Sequence, residues 1–344
     1  MRETNFSILL SSFLLLILLH TGCVDALEPA GPAQYENPDY PSDLSGYASI
    51  PTEFINGFIH QERVYILDRT NQMMVSFSAS DPNLAIPDSP VLKDTLQLGL
   101  SPGTSCFDRF AETLFISHYV SNDIYRLPFS SSGSPELLHQ CESIVTDVFT
   151  VNSGNSLLIC FLGPEWLVRR INAVTGEVEK EFSTGWPINR AALSVNGDRL
   201  LLSNSGRKYL IEIDTESFNR TDSIPLPERV GPFLYNTSGD IVVFNQYTIH
   251  PRVYLIDGET RLVKDVIDSI NPYKYCFLMP GTDVVLAPRR SDNRVSVLNS
   301  DNMIFAPSIF CFAYAEMAFS PPDNKYIIIL SDSPGRAYIY ENSL

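Results

Sequence analysis

Positive charge is what this sequence lacks most. Against 40 aspartates and glutamates it sets 24 lysines and arginines in 344 residues, a formal net charge of −16. Phosphate backbones are held by clustered Lys and Arg, so nucleic acid is excluded as the main partner. Long apolar runs are missing as well: residues 8–19 (ILLSSFLLLILL) form a stretch of twelve, short of the roughly 20 needed to span a bilayer. Six cysteines are present, yet none makes a CxxC pair. HExxH, GxGxxG, the P-loop and GxSxG are all absent, so no metal or cofactor is expected from motifs. No segment beyond residue 19 sustains a helical period of 3.6. What the chain does have is aromatic surface, 20 Phe, 16 Tyr and 2 Trp, within 44% apolar residues. That composition rules out intrinsic disorder and supplies a large core.

The amino terminus reads as an address. Arg2 and the short apolar run have the proportions of a secretory signal peptide. The run ends in Leu19-His20-Thr21-Gly22-Cys23, which resembles the lipobox of bacterial lipoproteins, with His20 where that family usually has Leu. The resemblance implies cleavage after residue 22 and a lipid on Cys23, holding the chain at the membrane. Val24 would favour sorting to an outer membrane or the cell surface. Plain secretion, with cleavage nearby, is the alternative. Residues 23–45 are rich in proline and acid and have little apolar periodicity, so they are expected to form an extended tether.

From there to the end the sequence repeats. FTVNSGNSLLI, LSVNGDRLLL, LYNTSGDIVVF, FLMPGTDVVLA and AFSPPDNKYIII each place a polar turn between apolar stretches. Their turn markers Gly154, Gly197, Gly239, Gly281 and Asp323 are spaced by 43, 42, 42 and 42 residues. Gly, Asn and Asp tolerate the positive φ of tight hairpins. Further along, Asn172, Asp214, Asp257, Asn299 and Glu341 keep spacings of 42, 43, 42 and 42. Two further units precede these, around residues 63–78 and 113–129. Four strand-like runs per unit of 40–45 residues predict blades of a β-propeller. The expected fold is all-β, with seven four-stranded antiparallel blades over residues 46–344; six or eight blades is the alternative. The chain stops after the third strand of its last unit. Residues around 44–50 are therefore expected to supply that blade's outer strand and close the ring, since an open edge leaves backbone groups unpaired.

Leu201-Leu202-Ser203-Asn204 followed by Leu210-Ile211-Glu212-Ile213-Asp214 resembles the YVTN-type propeller repeat, a WD40-like pattern. The WD dipeptide itself is missing: the two tryptophans precede Leu167 and Pro187. Some seven-bladed relatives of similar repeat pattern are lactonases, so the resemblance implies either a binding propeller or a hydrolase.

In such a ring, loops between second and third strands share one face with the blade-to-blade junctions. That face is expected to gather Arg69, Tyr119, Arg207, His250, Arg289 and Arg290, with Trp186 and Arg190 at a junction. Arginines and aromatics together suit an anionic or stackable ligand. The same residues also read as ordinary polar loop tips. For the hydrolase reading, His118 and Arg289 are the available residues, without an evident carboxylate partner. Cys160 and Cys276 sit in apolar strands as small core residues, while Cys106 and Cys141 bracket the second unit and could pair. Asn219 and Asn236 match the N-glycosylation pattern but read as outer-strand and turn residues. The expectation is a monomeric, non-catalytic envelope lipoprotein whose propeller face binds a protein, a polysaccharide or a small ligand.

Overall fold

The computed structural model describes residues 44–342 except 52, 82–92, 130–133, 164–165, 205, 246–250, 270–272, 274, 290–292, 312–313 and 333–334. The expected leader, Cys23 and the tether as far as residue 43 lie outside the described residues, as do His250 and Arg290.

Each repeat folds as expected. Twenty-eight strands form seven four-stranded antiparallel sheets, and there is no helix among the described residues. The fourth unit shows the correspondence: its strands are Arg190–Leu193, Arg199–Ser203, Tyr209–Asp214 and Arg220–Pro225. The turn markers have the conformation their chemistry allows. Gly154, Gly197, Gly239 and Gly281 have φ between 66° and 85°, and in the last blade Asn324 takes that role at 53°. The second set of markers consists of turn caps. Asn172 Oδ1 accepts from the amides of Val174 and Thr175, and Asp214 Oδ1 from those of Glu216 and Ser217. Asp257 and Asn299 do the same one and two blades later. A short side chain accepting from amides two and three residues ahead fixes the reversal, so both markers recur with the blade.

Strand alternation sends neighbouring side chains to opposite faces of a blade. Leu200 and Leu202 pack toward blade 3, and Leu201 packs toward blade 5. Seven apolar clusters result, each shared by two consecutive blades, including one between blades 7 and 1. The ring is closed. Its seal is the strand Leu44–Ser49, the outermost of blade 7, which pairs antiparallel with Gly335–Glu341 in the order expected from the missing fourth strand. Ile50 N donates to Gly335 O at 2.9 Å. A Cβ on Gly335 would lie 2.3 Å from Ile50 O, so only glycine lets the two segments approach this closely.

The disulfide considered above does not form: Cys106 and Cys141 are free thiols. Burial pushes Cys141 up to about 12 and Cys106 up to about 11.

Candidate functional site: the channel mouth

Because strands alternate in direction, every inner strand starts at the end of the ring that also carries the second-to-third loops. The inner strands are Phe54–His60, Pro102–Asp108, Ile144–Val151, Arg190–Leu193, Val230–Tyr235, Phe277–Leu278 and Ala315–Phe319. Five of them break register near that starting end, at Phe54/Asn56, Pro102/Ser105, Val145/Asp147, Val230/Phe233 and Ala315/Met317. A bulge adds a residue that the ladder does not use and re-aims the side chains beside it. Here the extra residues include Thr146 and Glu316, which line one common space.

The bulged ends enclose a cavity of about 880 Å³ lined by residues of blades 1, 2, 3, 6 and 7. Glu53, Asn56, Arg69, Thr104, Ser105, Thr146, Asp147, Tyr275 and Glu316 are its polar groups, and Phe54, Phe149 and Phe277 its rings. A smaller space of about 250 Å³ shares Thr146, Asp147 and Tyr275 with it and adds Asn189, Arg190, Phe233 and Cys276.

Two arginines are mounted on tyrosines. The Arg69 guanidinium lies 4.2 Å from the centroid of the Tyr119 ring, and Arg69 Nε donates to Pro102 O at 3.2 Å. Its own backbone is held by Glu53 and by the Ser101 hydroxyl. Arg190 lies 6.0 Å from the Tyr275 ring centroid. Cation–π contact of this kind orients a guanidinium while leaving its donors directed elsewhere. Asn56 is already engaged, donating to the carbonyl and hydroxyl of Ser105 and so tying blades 1 and 2 together.

Asp147 is the electrostatic centre. It lines both spaces and is partly accessible, and burial above all pushes its carboxyl up to about 7. Arg190, the Thr146 hydroxyl and the Ala191 amide pull the other way without cancelling that effect. Near neutral pH this carboxyl can therefore be either a donor or an anion. Cys276, in the smaller space, has a thiol raised to about 12 by burial and is a weak nucleophile.

The structure distributes the sequence-derived residues unevenly. Arg69 and Arg190 line the mouth, and Tyr119, 58% exposed, supports Arg69 at its rim. Arg207 is exposed on the loop after Arg199–Ser203, its amide donating to Asn204 O. Trp186 is at the expected junction, but its ring is buried in the cluster between blades 3 and 4, edge-on to Tyr209, and cannot stack on a ligand. Arg289 is buried at the end of its strand. His118 is enclosed in its own loop, with Nδ1 3.1 Å from the Ser121 amide. Asn236 is fully buried and its Oδ1 accepts the Asp240 amide, so this sequon is a turn element, as expected; Asn219 is exposed. Sequence reasoning missed Asp147, Tyr275 and Glu316. The available signal was a carboxylate inside an otherwise apolar strand, in Val145-Thr146-Asp147-Val148-Phe149 and Ala315-Glu316-Met317-Ala318.

No family model and no curated protein matches this chain. Among solved structures, it is similar to the crystal structure of the WD40 β-propeller domain of Doa1. The two superpose with a TM-score of 0.68 over 88% of this chain and 98% of that one, at 12% identity. The fold is that of a WD40-like seven-bladed propeller. It is reached without the WD dipeptide, through Asx-capped turns and shared apolar clusters between the blades.

Proposed function

We propose that this chain is a non-catalytic binding propeller of the YVTN type, anchored in a bacterial cell envelope through a lipid on Cys23, with its ligand held in the channel mouth. The observation that carries the binding site is the pair of arginines beside tyrosine rings on two adjoining spaces, Arg69 on the one of about 880 Å³ and Arg190 on the one of about 250 Å³, which share Thr146, Asp147 and Tyr275. A concave space with aromatic rings and several polar groups can hold a small ligand, and this one is more polar than most such sites. Support for anchoring comes from residues 19–23, with a thiol where the apolar run ends.

Each half of the reading has its own experiment. Fractionation of cells expressing the chain should find it in the membrane pellet, and Cys23→Ser should release it to the soluble exported fraction. A thermal-shift screen of small metabolites should yield ligands whose stabilisation disappears in Arg190→Ala and Tyr275→Ala. Release that does not follow Cys23→Ser rejects the anchor, and ligands indifferent to both mouth substitutions reject the site.

The hydrolase reading retains one supporting observation: Asp147 is a carboxyl with raised affinity for its proton inside a cavity, the environment of a general acid. Against it, neither His118 nor Arg289 lines that space. Release of product from a bound ester or lactone would favour it over stoichiometric binding.

A further inference from the structure

Taking the mouth as the ligand site, its chemistry narrows the ligand class. The two guanidiniums of Arg69 and Arg190 do not face an anion-binding cradle, because Asp147 and the buried Glu316 share the wall and Glu53 stands at its edge. An anionic ligand would gain two cations and meet two or three carboxylates. A cationic ligand would meet the reverse. Charge balance of this kind favours a ligand without net charge, for which every one of these groups is a hydrogen-bonding partner rather than a repulsion.

The geometry of the heads points the same way. A guanidinium presents paired donors and a carboxylate paired acceptors, while Thr104 has a hydroxyl that does both and the Thr146 hydroxyl, which donates to Cys160 O at 3.2 Å, can still accept. Adjacent hydroxyls on a ring are the complement of such paired heads, since each can donate and accept. The same lining includes Phe54 and Phe149, which also pack against the clusters between blades, and Tyr275 and Phe277, whose rings are 6.3 Å apart and tilted by 37°. Ring faces beside paired polar heads match a molecule with C–H surfaces on its faces and hydroxyls around its edge. The space is large for one such ring, lying toward the upper part of the range of about 300–1,000 Å³ typical of small-molecule sites. Tyr119 and Val120 extend exposed apolar surface beyond it on the same face, and Tyr314 does so from the junction into blade 7.

We propose that the channel mouth binds a short neutral oligosaccharide, its hydroxyls bridged between the arginines and carboxylates and its sugar faces laid on Tyr275 and the neighbouring phenylalanines. Asp147, able to hold or release its proton near neutral pH, serves as donor or acceptor to a hydroxyl in either state.

The test is an array of neutral and acidic glycans probed with the propeller. Calorimetry then follows on the best neutral tetrasaccharide, on tetragalacturonate and on citrate. Expected is binding of at least one neutral tetrasaccharide, changed less than two-fold between 50 mM and 500 mM salt, because no net charge is exchanged. Tyr275→Ala should weaken it about ten-fold or more by removing one stacking face, while a thermal melt shows that the ring is still folded. Arg190→Ala is the second variant, should Tyr275→Ala alter folding. An array blank for neutral glycans overturns the proposal. So does tight, salt-sensitive binding of tetragalacturonate or citrate alone; if that binding depends on Tyr275 and Arg190, the mouth stands as the site and only the sugar class falls. A neutral glycan bound equally by both variants overturns the placement as well.

Discussion

Glu212 and Arg261 meet across the seam between blades 4 and 5, Oε1 lying 2.7 Å from Nη2, with only 2% and 10% of their side chains exposed. The same carboxylate accepts from the Tyr235 hydroxyl at 2.8 Å and from the Thr221 hydroxyl at 2.9 Å. One acid from blade 4 thus neutralises a cation and satisfies a phenol of blade 5, which the apolar cluster beside it cannot do. Its proximity raises the affinity of Tyr235 for its proton, after the larger effect of burial.

Removing that acid takes the acceptor from the Tyr235 hydroxyl and leaves the Arg261 guanidinium with the more distant Asp222, 3.9 Å away. Glu212→Ala should destabilise the ring by about 3–5 kcal/mol, the range for breaking one half of a buried pair. Urea unfolding monitored by tyrosine fluorescence checks it. Glu212→Gln, which keeps an acceptor oxygen, should lose less. Equal losses would mean that the charge of the residue carries the effect and its shape and acceptor oxygen do not.

Closure can be tested at Gly335. A valine there must displace the Ile50–Pro51 backbone, because even its Cβ would stand 2.3 Å from Ile50 O. Gly335→Val should lower the melting temperature and expose the first described strand, Leu44–Ser49, to limited proteolysis before the rest of the ring. A substitution that leaves the proteolytic pattern unchanged would show that the pairing with Gly335–Glu341 is not what holds that strand.

Asp147 should impose a pH dependence of definite sign. Its carboxyl is raised from 3.8 to about 7 in the folded ring, so between these values the folded chain holds a proton that the unfolded chain has released. Stability therefore falls as pH rises through this window, by up to about 4 kcal/mol in total. Asp147→Asn cannot ionise and should gain on the wild type across the same window. The two proteins should melt alike near pH 4, and the variant should be the more stable at pH 8. Thermal melts at both pH values read the difference directly.

The thiols should be unreactive in the native ring. Cys106, Cys141 and Cys276 all have their ionisation raised by burial. Reaction with a disulfide reagent at pH 8 should be slow until denaturant is added. Mild oxidation should produce no internal link between Cys106 and Cys141. A rapid native reaction at any of the three would contradict the packing described.

The architecture was legible because its signals are local and recur. A glycine at positive φ and an Asx cap are needed once per blade at one place, so the spacing of Gly154 to Gly281 and of Asn172 to Asn299 reports the ring directly. The seal was legible by subtraction, from a last unit with three strands. The mouth was read in part. Arg69, Arg190 and Tyr119 follow from knowing which loops share a face, but burial of Trp186 and Arg289 depends on packing that a loop position does not encode. Asp147, Tyr275 and Glu316 escaped because a bulge has no composition of its own. Where one residue is added to an inner strand, the alternation used to sort inward from outward side chains reverses beyond it.

The seal also has a temporal meaning. Gly46 pairs with Ile339, so a strand near the beginning of the described chain must wait for one near its end. Until that pairing forms, the blades are a stack with two raw ends, and the early strand has nothing to zip onto. The vulnerable species is thus the chain whose circle is still open, and the step that rescues it is the pairing of Leu44–Ser49 with Gly335–Glu341.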